Sequence, residues 1–209
     1  HSNGGACMNK NFCITIGREF GSGGREIARK LSERLGVKMY DKNLISLMAK
    51  ESGISEDILH SIDETPTNSF LYALSTGSFT HSSIVSPELP LTDKAFIVSS
   101  KIIREIAEQE SCIIVGRCAE YVLKEHQRLL RVFIYTDASR RAKRVAEGEK
   151  ISESEASTLI KKMDKKRASY HNYFSDRKWG SRSAYDICID SKFGTEAVVD
   201  IIVAALNEI

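Results

Sequence analysis

The sequence FCITIGREFGSGGREIARKLSERL, from Phe12 to Leu35, decides the fold class. Its apolar start, Phe12–Ile16, predicts a β-strand, and apolar residues at helical spacing after Arg25 predict an amphipathic helix. Glycines fill the turn between them: Gly17, Gly21, Gly23 and Gly24. The free N–H groups and the dipole at a helix start attract anions, and glycine lets the backbone approach an oxygen closely. The stretch therefore predicts a phosphate-binding loop, with a ligand-free strand-to-helix turn as the alternative.

The side chains of this loop depart from the usual P-loop pattern, G-x-x-x-x-G-K-[ST]. If Gly23 is the second glycine, Gly24 stands in place of the lysine and Arg25 in place of Ser or Thr. Arg18 then takes the position of the first glycine. The dinucleotide pattern G-x-G-x-x-G also fails, because Glu26 stands at its third glycine. The loop geometry is thus predicted without the lysine and hydroxyl that usually act there.

Composition indicates one ordinary globular domain. The chain has 209 residues, of which 42% are hydrophobic and 28% charged, and its net charge is +2. This charge is too small to argue for nucleic acid or a membrane as partner, and no apolar run approaches the roughly 20 residues of a membrane span. Residues 1–7 (HSNGGAC) read as an expression leftover, so we expect one domain over residues 8–209.

The five cysteines form no C-x-x-C pair and no Cys/His cluster at metal-ligand spacing. We therefore expect no metal site made by the protein. Three of them, Cys13, Cys112 and Cys188, lie in apolar strand-like runs, where cysteine acts as a small hydrophobic residue. Free thiols indicate a reducing compartment, so we expect a cytoplasmic protein.

Strand-like and helix-like segments alternate along the chain, which predicts an α/β fold with a parallel sheet and helices on both faces. In such sheets, ligands gather beyond the carboxyl ends of the strands. The residues just past four of the strands should therefore meet in one crevice: the glycine loop, Asp41–Lys42, Gly116–Arg117 and Thr136–Asp137. The five predicted strands are Phe12–Ile16, Val37–Tyr40, Cys112–Val115, Leu130–Tyr135 and Asp186–Asp190.

Three segments carry open alternatives. The stretch 63–92 holds all three prolines and lacks periodicity, which is typical of either an inserted substrate-side segment or a disordered loop. The basic helices around Arg140–Arg144 and Lys161–Arg167 are either solvated faces or ligand clamps. Trp179 either stacks on a base or packs internally. Side chains predict helix N-caps at Ser55, at Thr92 or Asp93, and at Asp137, Ser152 and Thr195.

Taken in order, the motifs GREFGSGGREIA, YDKNLI, IIVGRCA, the arginine-rich helix and DKKRASY…WG…YDICID resemble the cytidylate-kinase-like family. This family is a branch of the P-loop nucleoside-monophosphate kinases. The likeness extends over nearly the whole chain after Met8. It implies a three-layer P-loop NTPase-type fold with a five-stranded parallel sheet, an acceptor-side insertion at 63–92 and a helical lid within 137–185.

The resemblance also implies roles for individual residues, because arginine pairs bidentately with phosphate. Arg25, Arg117 and the lid residues Arg141, Arg144 and Arg167 are the expected catalytic cations. Asp41, Lys42, Arg117 and Asp164 are expected on the acceptor side, although Asp41 is equally suited to cap the following helix. The expected ATP-binding residues are Arg18, Gly21, Ser22, Gly23, Gly24, Arg25 and Glu26.

The implied activity is transfer of the γ-phosphoryl group of ATP to a nucleoside monophosphate or another small acceptor. The alternative is a nucleotide- or phosphate-binding regulator that lacks transfer activity, which the absent lysine favours. True cytidylate kinases have Asp just before the G-R pair, where this chain has Val115. Mg²⁺ would therefore rest on phosphates, water, and Asp41 or Glu19. A nucleic-acid-binding module is not expected, since no aromatic residues interleave with the basic helices.

Overall fold

The computed structural model describes residues 11–65 and 89–209. The expected leftover at 1–7 and residues 66–88 of the expected insertion lie outside these ranges. The described strands are β1 (Cys13–Arg18), β2 (Lys38–Tyr40), β3 (Cys112–Val115), β4 (Leu129–Tyr135) and β5 (Ile187–Asp190). The described α-helices are α1 (Gly24–Leu35), α2 (Asn43–Ser52), α3 (Glu56–Ile62), α4 (Leu91–Gln109), α5 (Ala119–Val122), α6 (Ala138–Glu149), α7 (Glu153–Phe174) and α8 (Thr195–Leu206).

The five strands form one sheet in the order β2-β3-β1-β4-β5, and every pair is parallel. β1 is central: it pairs with β3 on one side, where Cys13 faces Cys112, and with β4 on the other. The all-parallel α/β sheet predicted from the alternating pattern is confirmed. The glycine loop therefore leaves the middle of the sheet, where neighbouring strand ends flank it.

Two apolar layers cover the sheet, because successive strand residues point to opposite faces. Ile114 packs on one face with residues of α2, α3 and α4. Its neighbour Ile113 packs on the other face with residues of α1 and α8. Helices thus lie on both faces, as predicted, and the strands need no polar alternation because both of their sides are buried.

Helices α6 and α7 form a small two-helix unit beside the glycine loop. Ala142, Val145, Ala156 and Ile160 make its apolar seam, and Phe20 of the loop packs against it. The predicted caps at both helix starts are confirmed. Asp137 accepts a hydrogen bond from Arg140 N, and Ser152 forms a capping box with Glu155. This unit corresponds to the segment expected to form the lid.

Three helix boundaries differ from the sequence prediction. Thr195 is the first residue of α8 rather than its cap, because Gly194 at φ 90° takes the N-cap position. Pro90 precedes α4 as its N-cap, so the predicted caps at Thr92 and Asp93 are wrong. Helix α5 ends at Val122 instead of near His126. In the first two cases a Gly or Pro backbone at the helix start prevailed over a side chain suited to capping.

Candidate functional site

An open cavity of about 550 Å³ lies at the carboxyl ends of the strands, between the glycine loop and α7. It brings together the glycine loop, Asp41 and Lys42 after β2, and the end of α3. The predicted convergence of strand ends therefore holds for these two strands. Its lining mixes both signs of charge, with Arg18, Arg25, Lys42, Lys166 and Arg167 beside Glu19, Asp41, Asp63, Glu64 and Glu149.

The glycine loop exposes a helix start to this cavity. Gly21 and Gly23 have φ angles of 78° and 82°, a region that side chains disfavour. Gly23 is the N-cap of the 12-residue α1 and makes no side-chain capping hydrogen bond. Gly21, Gly23, Gly24 and Arg25 all line the cavity. This geometry suits an anion, because the first N–H groups of the helix have no partner within it.

Arg18 explains why glycine replaces lysine at residue 24. A Cβ at residue 24 would lie 2.7 Å from the Cβ of Arg18, so the stem of Arg18 occupies the space that a side chain there would need. Arg18 itself carries a cation into the cavity from the end of β1. The lysine is therefore absent for a packing reason, and a positive charge reaches the cavity from a different backbone position.

Arg25 links the glycine loop to the end of β2. Its Nε lies 2.7 Å from Asp41 Oδ2, and its side chain is 61% exposed. Asp41 does not cap α2, because the N-cap is Lys42 and makes no side-chain capping bond. Because most of the Arg25 side chain is exposed, a ligand in the cavity could reach its guanidinium and replace Asp41 as its partner.

Glu64 lies at the centre of the arginines, a role that the sequence did not indicate. Its Oε1 accepts hydrogen bonds from Arg18 Nη1 at 2.9 Å and from Arg117 N at 3.1 Å. Its Oε2 is 3.4 Å from Arg167 Nε. Burial alone would raise the pKa of Glu64, but attraction from Arg18, Arg167 and Arg117 outweighs it and holds that pKa well below its usual value. Glu64 is therefore an internal anion that partly neutralises the surrounding arginines before any ligand binds.

Arg117 is buried behind the cavity. Its Nη1 donates to Asp41 O at 2.8 Å and its Nη2 to Asp63 Oδ2 at 2.9 Å, so it joins the end of β2 to the end of α3. Gly116, Arg117 and Cys118 have consecutive positive φ angles of 77°, 55° and 53°. Non-glycine residues in this region are strained, and such strain is concentrated at functional sites.

Arg141 and Arg144 hold the backbone of the glycine loop. Arg141 Nη1 donates to Asp164 and to Phe20 O, and its Nε lies 3.4 Å from Glu19. Arg144 Nη1 donates to Gly21 O at 3.1 Å. Neither arginine is among the described residues that line the 550 Å³ cavity. Their catalytic role stays a prediction, since both guanidiniums contact carbonyl groups of the loop and Arg141 also contacts two carboxylates.

Asp164 and Arg167 of α7 also bind the loop. Asp164 Oδ1 accepts from Phe20 N at 2.7 Å, and Arg167 Nη1 donates to Arg18 O at 3.2 Å. Burial and the neighbouring Arg18 lower the pKa of Arg167 to about 10. Burial lowers the pKa of Lys166 as well. Crowded cations of this kind gain from an added anion, so this end of the cavity favours phosphate.

The remaining predicted residues lie elsewhere. Glu26 faces α8, where Thr195 Oγ1 donates to it at 3.3 Å. Ser22 is fully buried, and its carbonyl accepts from Ser191 Oγ at 2.6 Å. Trp179 packs edge-on against Phe133, with ring centroids 5.2 Å apart, which is the internal-packing alternative.

Around the glycine loop, the described residues do not form a ready Mg²⁺ site. Position 25 offers a guanidinium where a P-loop offers a hydroxyl. The two carboxylates considered for the metal are both engaged: Asp41 by Arg25, and Glu19 by Thr136 N and Arg141. We therefore assign no protein ligand to Mg²⁺.

Comparison with known proteins gives the family. The model of the cytidylate kinase-like family matches residues 13–192. The chain belongs to the cytidylate kinase-like family. The match spans the glycine loop, helices α6 and α7 and all five strands, so membership supports a phosphotransferase in general terms. No curated protein matches the sequence.

Solved structures share the fold over almost the full length of this family member. An uncharacterized protein from Eubacterium ventriosum ATCC 27560 is 32% identical, with a TM-score of 0.71 and coverage of 94% of this chain and 99% of that one. A shikimate kinase from Bacteroides thetaiotaomicron is 12% identical, with a TM-score of 0.54 and coverage of 94% and 98%. A gluconokinase from Sinorhizobium meliloti 1021 is 14% identical, with a TM-score of 0.53 and coverage of 94% and 92%. The last two show the P-loop kinase fold alone.

Two expectations from the sequence concern the chain as a whole: that it has no membrane span and that its cysteines are free thiols. Within residues 11–65 and 89–209, no helix has the length and apolar character to cross a membrane. The four described cysteines, Cys13, Cys112, Cys118 and Cys188, are free thiols.

Proposed function

We propose that this protein is an ATP-dependent phosphotransferase that transfers the γ-phosphoryl group to a nucleoside monophosphate or another small acceptor. One observation carries the proposal: the open start of α1 and the cations Arg18, Arg25, Lys166 and Arg167 line the same cavity. Membership of a kinase-like family supports the reaction class.

In this proposal, phosphate oxygens exchange with protein carboxylates for the same arginines. Arg25 is held by Asp41, and Arg18 and Arg167 are held by Glu64, so each cation has an anionic partner before a ligand arrives. Phosphoryl transfer depends mainly on positioning and charge neutralisation. The phosphate oxygens of bound ATP would replace the carboxylates as partners of these arginines, and the N–H groups at the start of α1 would also bind the phosphates. Mg²⁺ would arrive bound to the ATP oxygens and supply further charge neutralisation.

The acceptor end of the cavity is formed by Asp41, Lys42, His60 and Asp63. Lys42 is suited to an acidic acceptor group, and the two carboxylates are suited to hydroxyl groups. Arg117 does not line the larger cavity but contacts Asp41 and Asp63, so we assign it the role of positioning them. Asp164 holds the glycine loop through Phe20 N rather than facing an acceptor.

A regulator that binds nucleotide without transfer is the second candidate. The observation that favours it is the glycine at position 24, which leaves no lysine between the phosphates. Both candidates require nucleotide binding, so binding alone does not distinguish them. They differ in turnover, which only the phosphotransferase would show.

The deciding experiment measures ADP release from Mg-ATP with a panel of nucleoside monophosphates, small hydroxy acids and polyols. We expect one acceptor class to raise turnover above the ATP-only rate. Arg25→Ala should then lower kcat/KM by about 10²-fold or more, because a cation that contacts transferring phosphate is worth at least this much.

Arg29→Ala is the matched control. Arg29 lies one turn further along α1 and pairs with Glu33 at the surface, so its loss should leave kcat/KM nearly unchanged. Calorimetric ATP binding without turnover on any acceptor would instead establish the regulator.

A further inference from the structure

Three side chains with metal-binding atoms lie close together, next to the arginines that surround Glu64. Cys118 follows β3, Glu120 lies in α5, and His171 lies near the end of α7. Their ligand atoms all lie within 4.8 Å of one another, and the residues are only 3%, 6% and 4% exposed. Sequence spacing could not reveal this cluster, because His171 lies far along the chain from the other two.

Hydrogen bonds determine which ring nitrogen of His171 is free. Ser175 Oγ lies 3.0 Å from Arg177 O, which is closer than its contact to His171, and we assign the single hydroxyl proton to this shorter bond. The 3.2 Å contact between Ser175 Oγ and His171 Nδ1 is then donated by the ring. In the neutral imidazole, Nε2 is left with a lone pair, the form in which histidine binds metals. A hydrogen bond donated by the other ring nitrogen, which fixes the orientation of the ring, is a usual feature of histidine that binds a metal.

That lone pair faces a carboxylate. His171 Nε2 lies 2.7 Å from Glu120 Oε1, yet the geometry is not that of a hydrogen bond, and neither atom has another hydrogen-bond partner among the residues described. Two buried acceptor atoms this close repel one another, so the contact requires a positive charge: either a proton on the ring, or a cation that lies beside the pair and binds both atoms. Both atoms therefore point to a shared positive charge.

The surroundings have room for such a charge. A cavity of about 20 Å³ adjoins the cluster and is large enough for the water that would complete the coordination of an ion held by the three side chains. Its lining includes Cys118, Glu120 and His171 together with Arg18, Arg117 and Arg167. A thiolate and a carboxylate would together balance the two charges of a divalent metal ion. The ion and its two anionic ligands would then have no net charge, so they would not repel the arginines that line the same cavity.

We propose that Cys118, Glu120 and His171 bind one Zn²⁺ ion, with a water as fourth ligand. Sulfur, imidazole and carboxylate ligands in one tetrahedral set are typical of zinc. Tetrahedral ligation would move His171 Nε2 and Glu120 Oε1 apart by about half an ångström from their 2.7 Å separation and would hold the Cys118 sulfur about 3.5 Å from both atoms. The site revises the expectation of no protein-made metal site, and it does not depend on the proposed phosphotransferase reaction.

The zinc would position residues of the larger cavity. Cys118 directly follows Arg117, and His171 lies one helical turn beyond Arg167 on α7. A metal joining these two segments would fix the loop after β3 against α7. It would thereby set the distance between two of the arginines around Glu64.

The test uses the full chain, treated with a chelator and then titrated with Zn²⁺ and with Co²⁺. We expect one equivalent of Zn²⁺ per chain, with about micromolar affinity or tighter, and a higher Tm when zinc is bound. Bound Co²⁺ should show a thiolate-to-cobalt charge-transfer band. Cys118→Ser should remove that band and, with Glu120→Gln, weaken Zn²⁺ binding by about tenfold or more.

Cys188→Ser is the matched control, because Cys188 is a half-buried free thiol outside the cluster. It should keep the cobalt band and the zinc affinity. Absence of Zn²⁺ binding by the wild-type chain would overturn the proposal, and so would binding that persists unchanged in both ligand variants. The wild-type cobalt spectrum decides the matter even where a ligand variant fails to fold.

Discussion

At the scale of single residues, Arg18 and Gly24 act as a pair. The Arg18 stem fills the space beside residue 24. A P-loop has glycine at the first of these two positions and lysine at the second, whereas this chain has the large residue first and glycine second. A cation still reaches the cavity, but from the strand rather than from the helix. The pattern G-x-x-x-x-G-K-[ST] shows where the lysine is missing, and only the packing shows why.

Restoring the lysine alone should therefore damage the protein. We expect Gly24→Lys to lower the free energy of unfolding by about 1–3 kcal/mol, because overpacking forces the Arg18 stem aside. Arg18→Gly removes that stem, so the double variant should be more stable than the sum of the single effects predicts, by about 0.5–3 kcal/mol. Urea unfolding of all four proteins measures this coupling. Strict additivity would show that the two side chains do not compete for space.

At the scale of secondary-structure elements, α7 holds the glycine loop in place. Asp164 of α7 binds both Phe20 N and the guanidinium of Arg141 in α6, so one carboxylate connects the loop with both α6 and α7. The sequence predicted both helices and their caps, because Asp137 and Ser152 carry strong local signals. It did not predict the loop contact, since Phe20 and Asp164 are far apart in the chain and no local pattern encodes their meeting.

Loss of that carboxylate charge should loosen the loop without unfolding the sheet. We expect Asp164→Asn to weaken ATP binding by about tenfold, because charge-assisted hydrogen bonds contribute about 1.5–3 kcal/mol. Asp200→Asn is the control, since Asp200 forms a surface pair with Arg34. Calorimetric titration with ATP measures both variants. Equal affinities of the two variants would contradict a positioning role for Asp164.

At the scale of the whole molecule, the sheet and its layers could be predicted, and the charge network could not. Alternating apolar runs such as Cys112–Val115 specify a buried parallel strand locally. Glu64 collects Arg18 from β1, Arg117 from the turn after β3 and Arg167 from α7. A single carboxylate in a stretch without periodicity gives no sign of three distant partners, so the centre of the site was missed although its arginines were named.

This network should make stability depend on pH. The pKa of Glu64 is lower in the folded chain than its ordinary value of 4.5, so its contribution to stability is fully present well above that value and is lost progressively as pH falls from there toward the lower pKa of the folded chain. Glu64→Gln should cost about 3–5 kcal/mol at pH 7, because it leaves buried arginines without their partner. The difference from wild type should shrink toward pH 3.

Urea unfolding between pH 3 and pH 7 measures this difference. The surface variant Glu33→Gln should differ little from wild type across that range, because its pair with Arg29 is exposed. A Glu64→Gln penalty that stays constant with pH would show that the loss comes from packing rather than from charge.

Helix α7 gives the molecule one further property. Its 22 residues extend for about 33 Å as one uninterrupted rod. Asp164, Arg167 and His171 follow one another at intervals of three and four residues, so they share one stripe of that rod. They reach, in turn, the glycine loop, Glu64 and the buried cluster around Cys118. Because the helix is one continuous element, a displacement at its loop end would move all three contacts together.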